Sequence, residues 1–265
     1  MLMTRLALLP LAILIFFIVG SLVSLIAQID GQTLLSLLAE PEIHFAVTLS
    51  VTTALLSLLL ALLIGIPAAW SMSRLDFPGK RAVDLLLDLP MVTPPLIVGI
   101  GLLLLLGREG TVGQFFPTLA QSLFSPIGVV IAQTYVASAI IVRSASAAFK
   151  SIDPAYVNTA FNLGLTPFRT LILIEIPLIW RALVSGCVLA LARALGEFGA
   201  TLMLAGATRM KTETLPIAVY LNIASGDFSL AVGCALTLIV LAAVLLMVLH
   251  AVQQKGGSHA NRDRP

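Results

Sequence analysis

Residues 44–71 read HFAVTLSVTTALLSLLLALLIGIPAAWS, an apolar run that contains no Asp, Glu, Lys or Arg. The hydrocarbon core of a bilayer is about 30 Å thick and takes about 20 apolar residues in α-helix to cross, so this run can span it. Inside lipid each backbone amide must be paired, and a single long apolar segment does this by forming a helix. The same criterion, applied outward, picks out 6–27, 85–106, 126–149, 182–206 and 228–252. Composition agrees, because the 265 residues are 59% hydrophobic and 11% charged, with mean hydropathy +1.06. That balance lies far from a water-soluble domain. The sequence predicts an all-α integral membrane protein with about six transmembrane helices.

The expected organisation is an N-terminal helix and extracytoplasmic loop over 1–43, a core of five spans over 44–252, and a polar tail over 253–265. Arg5 followed by the apolar run 6–27 has the start of a signal peptide, but the run is long and no small-x-small cleavage site follows it, so an uncleaved helix is expected. Lys and Arg are distributed unevenly about the spans. Arg5, Arg74, Lys80, Arg81, Lys150, Arg169, Arg181, Lys255, Arg262 and Arg264 fall on one side, and Arg108, Arg209 and Lys211 on the other. The cytoplasmic side holds the excess, so both termini and the loops after spans two and four are expected there.

The net charge of +2 carries no nucleic-acid signature. Cys187 and Cys234 sit in apolar runs, where packing is the expected role. No G-x-x-x-x-G-K-[ST] phosphate loop and no metal-ligand spacing occurs, so any energy source belongs to a partner.

The longest cytoplasmic loop, about 150–181, has readable local structure. Asp153 before Pro154 is a helix start, in which the carboxylate caps free N–H groups and proline is pre-set for the first turn. Tyr156, Val157, Ala160 and Phe161 then form one apolar stripe, and Gly164 ends the helix in the left-handed conformation. Thr166 and Pro167 repeat the start signal for a second short helix that runs toward Ile176 and meets Pro177. Two short helices hinged at a glycine suit a groove of another protein; the alternative is a helix lying on the bilayer surface.

The stretch Asn158-Thr159-Ala160, Gly164 and Ile174-Glu175-Ile176-Pro177 resembles the E-A-A-x3-G-x9-I-x-L-P signature of permease subunits in binding-protein-dependent ABC importers. The spacing from the glycine onward matches; the chain departs at Asn158, Thr159 and Ile176, where the family usually has Glu, Ala and Leu. The resemblance implies that this loop seats in a cytoplasmic ATPase subunit. ATP and Mg would then be bound by that partner, with no cofactor in this chain. It also implies a homodimer around a central path, fed by an extracytoplasmic binding protein.

Leu89-Pro90-Met91-Val92-Thr93-Pro94-Pro95-Leu96-Ile97-Val98-Gly99 and Ala192-Arg193-Ala194-Leu195-Gly196-Glu197-Phe198-Gly199-Ala200-Thr201 are similar to molybdate permeases. Tungstate and sulfate permeases are similar over the same segments, and Ser225-Gly226-Asp227-Phe228 is similar to the tungstate type. The resemblance runs from about His44 to Leu249 and implies import of a tetrahedral oxyanion across a bacterial inner membrane or an archaeal plasma membrane.

Physics gives these stretches a role independently. Pro90, Pro94 and Pro95 leave backbone groups unpaired at membrane depth, which is tolerated where they are buried in protein or line a wet cavity. A kink that only sets packing is the alternative. Arg193 and Glu197 lie four apart, so on one helix they share a face and pair. The acid beside the base opposes anion binding, which favours a gate or packing role. Gly196, Gly199 and Ala200 on the same helix permit close approach of another.

His44, Trp70 and Trp180 are read as interfacial residues, and Arg143 as a side chain that snorkels to the surface. A secondary carrier would want acidic or histidine relays and an internal repeat, and an intramembrane enzyme would want a nucleophile and base or metal ligands. Deep within its predicted spans the chain offers one acid, Glu197, with Asp88 near the edge of the third, and it offers neither of those constellations.

Overall fold

The computed structural model describes residues 2–28, 36–37 and 39–260, with side chains over 8–28, 36–37 and 39–251. The expected charge contributions of Arg5, Lys255, Arg262 and Arg264 lie outside the described side chains. Every regular element among the described residues is helical. The elements are α1 (Leu2–Ile26), α2 (Pro41–Arg74), α3 (Lys80–Val92), α4 (Pro95–Leu106), α5 (Pro117–Gln121) and α6 (Pro126–Lys150). They continue with α7 (Pro154–Asn162), α8 (Pro167–Thr170), a π-helical turn (Leu171–Glu175), α9 (Ile176–Leu195), α10 (Gly199–Ala205), α11 (Leu215–Ser225) and α12 (Phe228–Ala260). Among the described residues five helices are long and apolar enough to cross a membrane, or six if the bent pair α3 and α4 counts as one span.

The decisive run 44–71 lies inside α2, and its sequence separates two faces. Ala46, Ser50, Ala54, Ser57, Ala61, Gly65 and Ala69 recur at helical spacing and are buried. Leu55, Leu56, Leu59, Leu63 and Ile64 on the other face are exposed, as an apolar face turned to lipid requires. With no hydrophobic drive between helices in lipid, small residues bring backbones together. The small face lies along α6: a Cβ on Gly65 would come within 2.8 Å of Ile141 Cγ2. Ser57 Oγ donates to Val130 O at 3.1 Å. On the remaining sides α9 packs against α6, α2 and α12, α4 against α10, α11 against α12 and α2, and α1 against α12.

One expectation is met in part and two are corrected. The third span is interrupted as its prolines predict, α3 and α4 being bent by 116° across Thr93 and Pro94, while Pro90 stays inside α3. Proline disfavours α conformation in the residue before it, and Thr93 accordingly turns extended (φ −71°, ψ 133°). The fifth span does not run over 182–206. It runs from Pro167 to Leu195 and breaks at Gly196–Phe198, so Gly196, Gly199 and Ala200 do not share its helix. Pro177 does not end a helix either. It cannot donate an N–H and its ring crowds the preceding turn, and the π turn just before it widens the helix there. Ile176 N–H donates to Leu171 O and the chain continues unbroken into α9. The short α11 had no counterpart among the predicted spans, and α12 carries its backbone past 252 to Ala260.

Candidate translocation path and coupling surface

The two stretches singled out in sequence meet in space. Pro94 and Pro95 at the start of α4 line an open cleft of about 320 Å³ with Leu96, Arg193, Gly196, Glu197, Phe198 and Gly199. The close approach comes from glycine on both sides. A Cβ on Gly99 would fall 2.8 Å from Ala200 Cα, and one on Gly199 would fall 2.9 Å from Leu96 N. Neither position has room for a side chain without displacing backbone. Thr93 sits in the bend, its N–H donating to Leu89 O at 2.8 Å, outside the cleft lining. Pro90 lines a separate apolar groove of about 470 Å³ together with Leu60, Ile64, Leu86 and Tyr135.

Within the cleft Arg193 Nη1 lies 2.6 Å from Glu197 Oε2, with Arg193 37% exposed and Glu197 wholly buried. The expected pair therefore forms, across a helix break rather than along a helix. Glu197 Oε1 accepts from Ala200 N–H at 3.0 Å, so the same carboxylate caps the first turn of α10. Phe198 is half-buried, and its ring stands 5.6 Å from that of Tyr220. The positive side chain at the cleft is thus already paired, and the buried acid serves both partners.

On the coupling loop Asp153 Oδ1 accepts from Ala155 N–H at 2.9 Å, Gly164 takes φ +82°, and Thr166 Oγ1 accepts from Arg169 N–H at 3.4 Å. The expected starts and stop are in place. The stripe divides, however. Val157 and Ala160 turn inward, Val157 packing with Phe149, Ile152 and Ile179, while Tyr156 and Phe161 stay exposed. Asn158 and Thr159 are exposed, and a cleft of about 360 Å³ opens between Tyr156, Thr159, Ala160, Leu163, Leu165 and Ile174. Pro177 is exposed at the base of α9.

Three polar clusters were not read from the sequence. Arg143 does not snorkel: its Nη1 donates to Asp84 at 2.7 Å, its Nε to Asp88, and its Nη2 to the Asp84 carbonyl, fastening α3 to α6. Arg74 Nε lies 3.2 Å from Glu175, which is 2% exposed. Arg209 pairs with Glu42 and donates to Asn222 Oδ1 at 2.9 Å and Ser225 Oγ at 3.0 Å, tying α2 to α11. In the same loop Glu213 Oε2 accepts from Met210 N–H at 2.8 Å. Burial pushes the Glu213 carboxyl above the usual carboxylate range; the Met210 N–H opposes this and the Glu42 carboxyl reinforces it. An ionisable side chain in or beside an apolar run was the available signal, but its partner is distant in sequence in each case. No group of three or more His, Cys, Asp or Glu suited to a metal occurs among the described residues.

Comparison with known proteins bears on this geometry. The family profile "Binding-protein-dependent transport system inner membrane component" matches residues 61–255. The molybdenum transport system permease protein ModB of Mycobacterium tuberculosis is 37% identical over 234 residues, 88% of each chain. The sulfate transport system permease protein CysW of Synechocystis is 32% identical over 223 residues, 84% of this chain and 81% of that relative. Among solved structures, a chain of a bacterial alginate ABC transporter in complex with an alginate-bound periplasmic protein superposes with TM-score 0.75. It is 18% identical, with 95% of this chain and 94% of that chain covered, which supports the fold. The chain belongs to the family of binding-protein-dependent transport system inner membrane components, and is a multi-pass permease subunit of an ABC importer.

Proposed function

We propose that this permease imports molybdate. The observation that carries the reading is 37% identity over 88% of both chains with a molybdenum permease. An extracytoplasmic binding protein delivers the anion, and a separate ATPase subunit supplies the energy. Two copies of this chain form the path as a homodimer, with both termini cytoplasmic, in a bacterial inner membrane or archaeal plasma membrane. The cleft of Pro94, Pro95, Arg193 and Glu197 acts as a gate, since its one base is neutralised by a buried acid and offers a dianion little net attraction. Asp153 to Pro177 form the surface that seats in the ATPase, with Tyr156, Thr159 and Ile174 around its exposed cleft.

Cellular molybdenum and tungsten, measured by mass spectrometry in cells with and without this gene at nanomolar supply, test the cargo. Loss of molybdenum uptake that excess sulfate does not alter supports the proposal. Selective loss of tungsten moves the cargo to tungstate. The 32% identity with a sulfate permease favours sulfate as the second reading, and competition by sulfate with cysteine-dependent growth would establish it.

A further inference from the structure

The π turn at the base of α9 determines which side chain faces inward. Thr170 is buried, and in a regular α-helix the residue four positions on, Ile174, would share its face. The turn holds an extra residue, so Glu175 takes that place and is 2% exposed, while Ile174 turns outward to line the coupling cleft. Two adjacent residues thus serve different faces, one toward the surface offered to the ATPase and the other toward α2. Glu175 meets Arg74 there at 3.2 Å, and no other ion pair among the described residues reaches either side chain. Around them Ala69, Val157 and Ile179 belong to one buried cluster, with Trp70 and Leu171 packed against it.

We infer that the Arg74–Glu175 pair is a positioning strut that carries displacement of the coupling loop into α2. A π turn is a local defect in the helical ladder and a place where a helix bends. Load applied at Ile174 would be absorbed there unless the turn were tied sideways. Apolar contacts slide, whereas an ion pair at 3.2 Å with its carboxylate 2% exposed resists separation. The strut joins the turn to α2, whose small-residue face lies along α6, so the tie reaches the main scaffold of the bundle. This inference rests on the coupling-loop reading proposed above.

The test uses the complete importer, with ATPase and binding protein, in proteoliposomes loaded with labelled molybdate, or with tungstate or sulfate if one of those is the cargo. Cargo moved per ATP hydrolysed is measured for Glu175→Gln, Arg74→Gln and the double variant. Each single variant is expected to retain the ATPase subunit and hydrolyse ATP while that ratio falls by about fivefold or more. The double variant is expected to be no worse than either single one, since the two residues act as a unit. An unchanged ratio with less assembled complex recovered would mean that the pair only stabilises the fold, and would overturn the inference. Multiplied losses in the double variant would overturn it too. Should the neutral variants fail to assemble, Arg74→Lys, which keeps the charge but removes Nε, decides: a lowered ratio supports the strut and an unchanged one refutes it. Failure of the unaltered permease to bind an ATPase at all would instead remove the coupling-loop reading, and the strut with it.

Discussion

Arg193 reaches across the break that ends α9 to place its guanidinium 2.6 Å from the buried Glu197 carboxylate, which also caps α10. The two sides of this pair are unequal, and so are the expected costs of losing them. Arg193→Ala leaves a wholly buried carboxylate with its charge uncompensated, a loss of about 3–5 kcal/mol where no water reaches the group. Glu197→Ala leaves a guanidinium that is 37% exposed and can turn to solvent, and chiefly removes a helix cap worth about 1–2 kcal/mol. Thermal unfolding of the permease in nanodiscs is expected to rank Arg193→Ala as the more damaging. Both variants are expected to impair assembly or gating without altering the order of preference among molybdate, tungstate and sulfate.

The contact of α4 with α10 gives a matched pair of glycine substitutions. Gly99→Ala puts a methyl 2.7 Å from Met203 Cβ and 2.8 Å from Ala200 Cα, and over-packing of this kind costs about 1–3 kcal/mol. Gly101, two residues along the same helix, has nothing within 4 Å of the added Cβ. Gly101→Ala is expected to be neutral or to stabilise by about 0.5–1 kcal/mol through helix propensity. Equal thermal midpoints for the two variants would show that the cleft wall yields.

The long apolar helices were legible because their signal is local: a run such as 44–71 declares its length and its lack of charge without reference to anything else. The starts at Asp153 and Thr166 and the stop at Gly164 were legible for the same reason, each resting on one side chain or one backbone preference. Pro90, Pro94 and Pro95 marked a break but could not give its angle, which is set by what α3 and α4 pack against. The break at Gly196–Phe198 was missed because apolar residues flank it on both sides and hydropathy averages across it. Glu175 lay inside the recognised signature. Its inward direction depends on the π turn, which no spacing rule used for the sequence could anticipate.

Arg143 holds α3 through a fork that contacts Asp84, Asp88 and a backbone carbonyl. No residue of α3 is buried, so this fork is the main polar tie of that helix to the bundle. Arg143→Ala is expected to raise amide hydrogen exchange across 80–92 while leaving α6 protected. Lysine supplies a single point charge in place of the planar fork, so Arg143→Lys is expected to recover part of the protection. Unchanged exchange over 80–92 in Arg143→Ala would assign the seating of α3 to its apolar residues instead.

Glu213 lies in the loop between α10 and α11, outside the spanning helices, wholly buried beside Arg209 and Glu42. Its carboxyl is held above the usual range, so the folded state binds the proton more tightly than the unfolded chain does. The associated stability is then fully present below the ordinary carboxylate pKa and is lost as pH rises through the elevated folded value. Glu213→Gln keeps an oxygen to accept from Met210 N–H and removes the charge. Arg209 retains Glu42, Asn222 and Ser225 as partners. Thermal midpoints of wild type and Glu213→Gln are therefore expected to converge below about pH 4 and to separate as the pH rises from there, with the variant the more stable at the alkaline end. The reverse order at the alkaline end would mean that the Arg209 contact at 3.8 Å outweighs the burial of the charge.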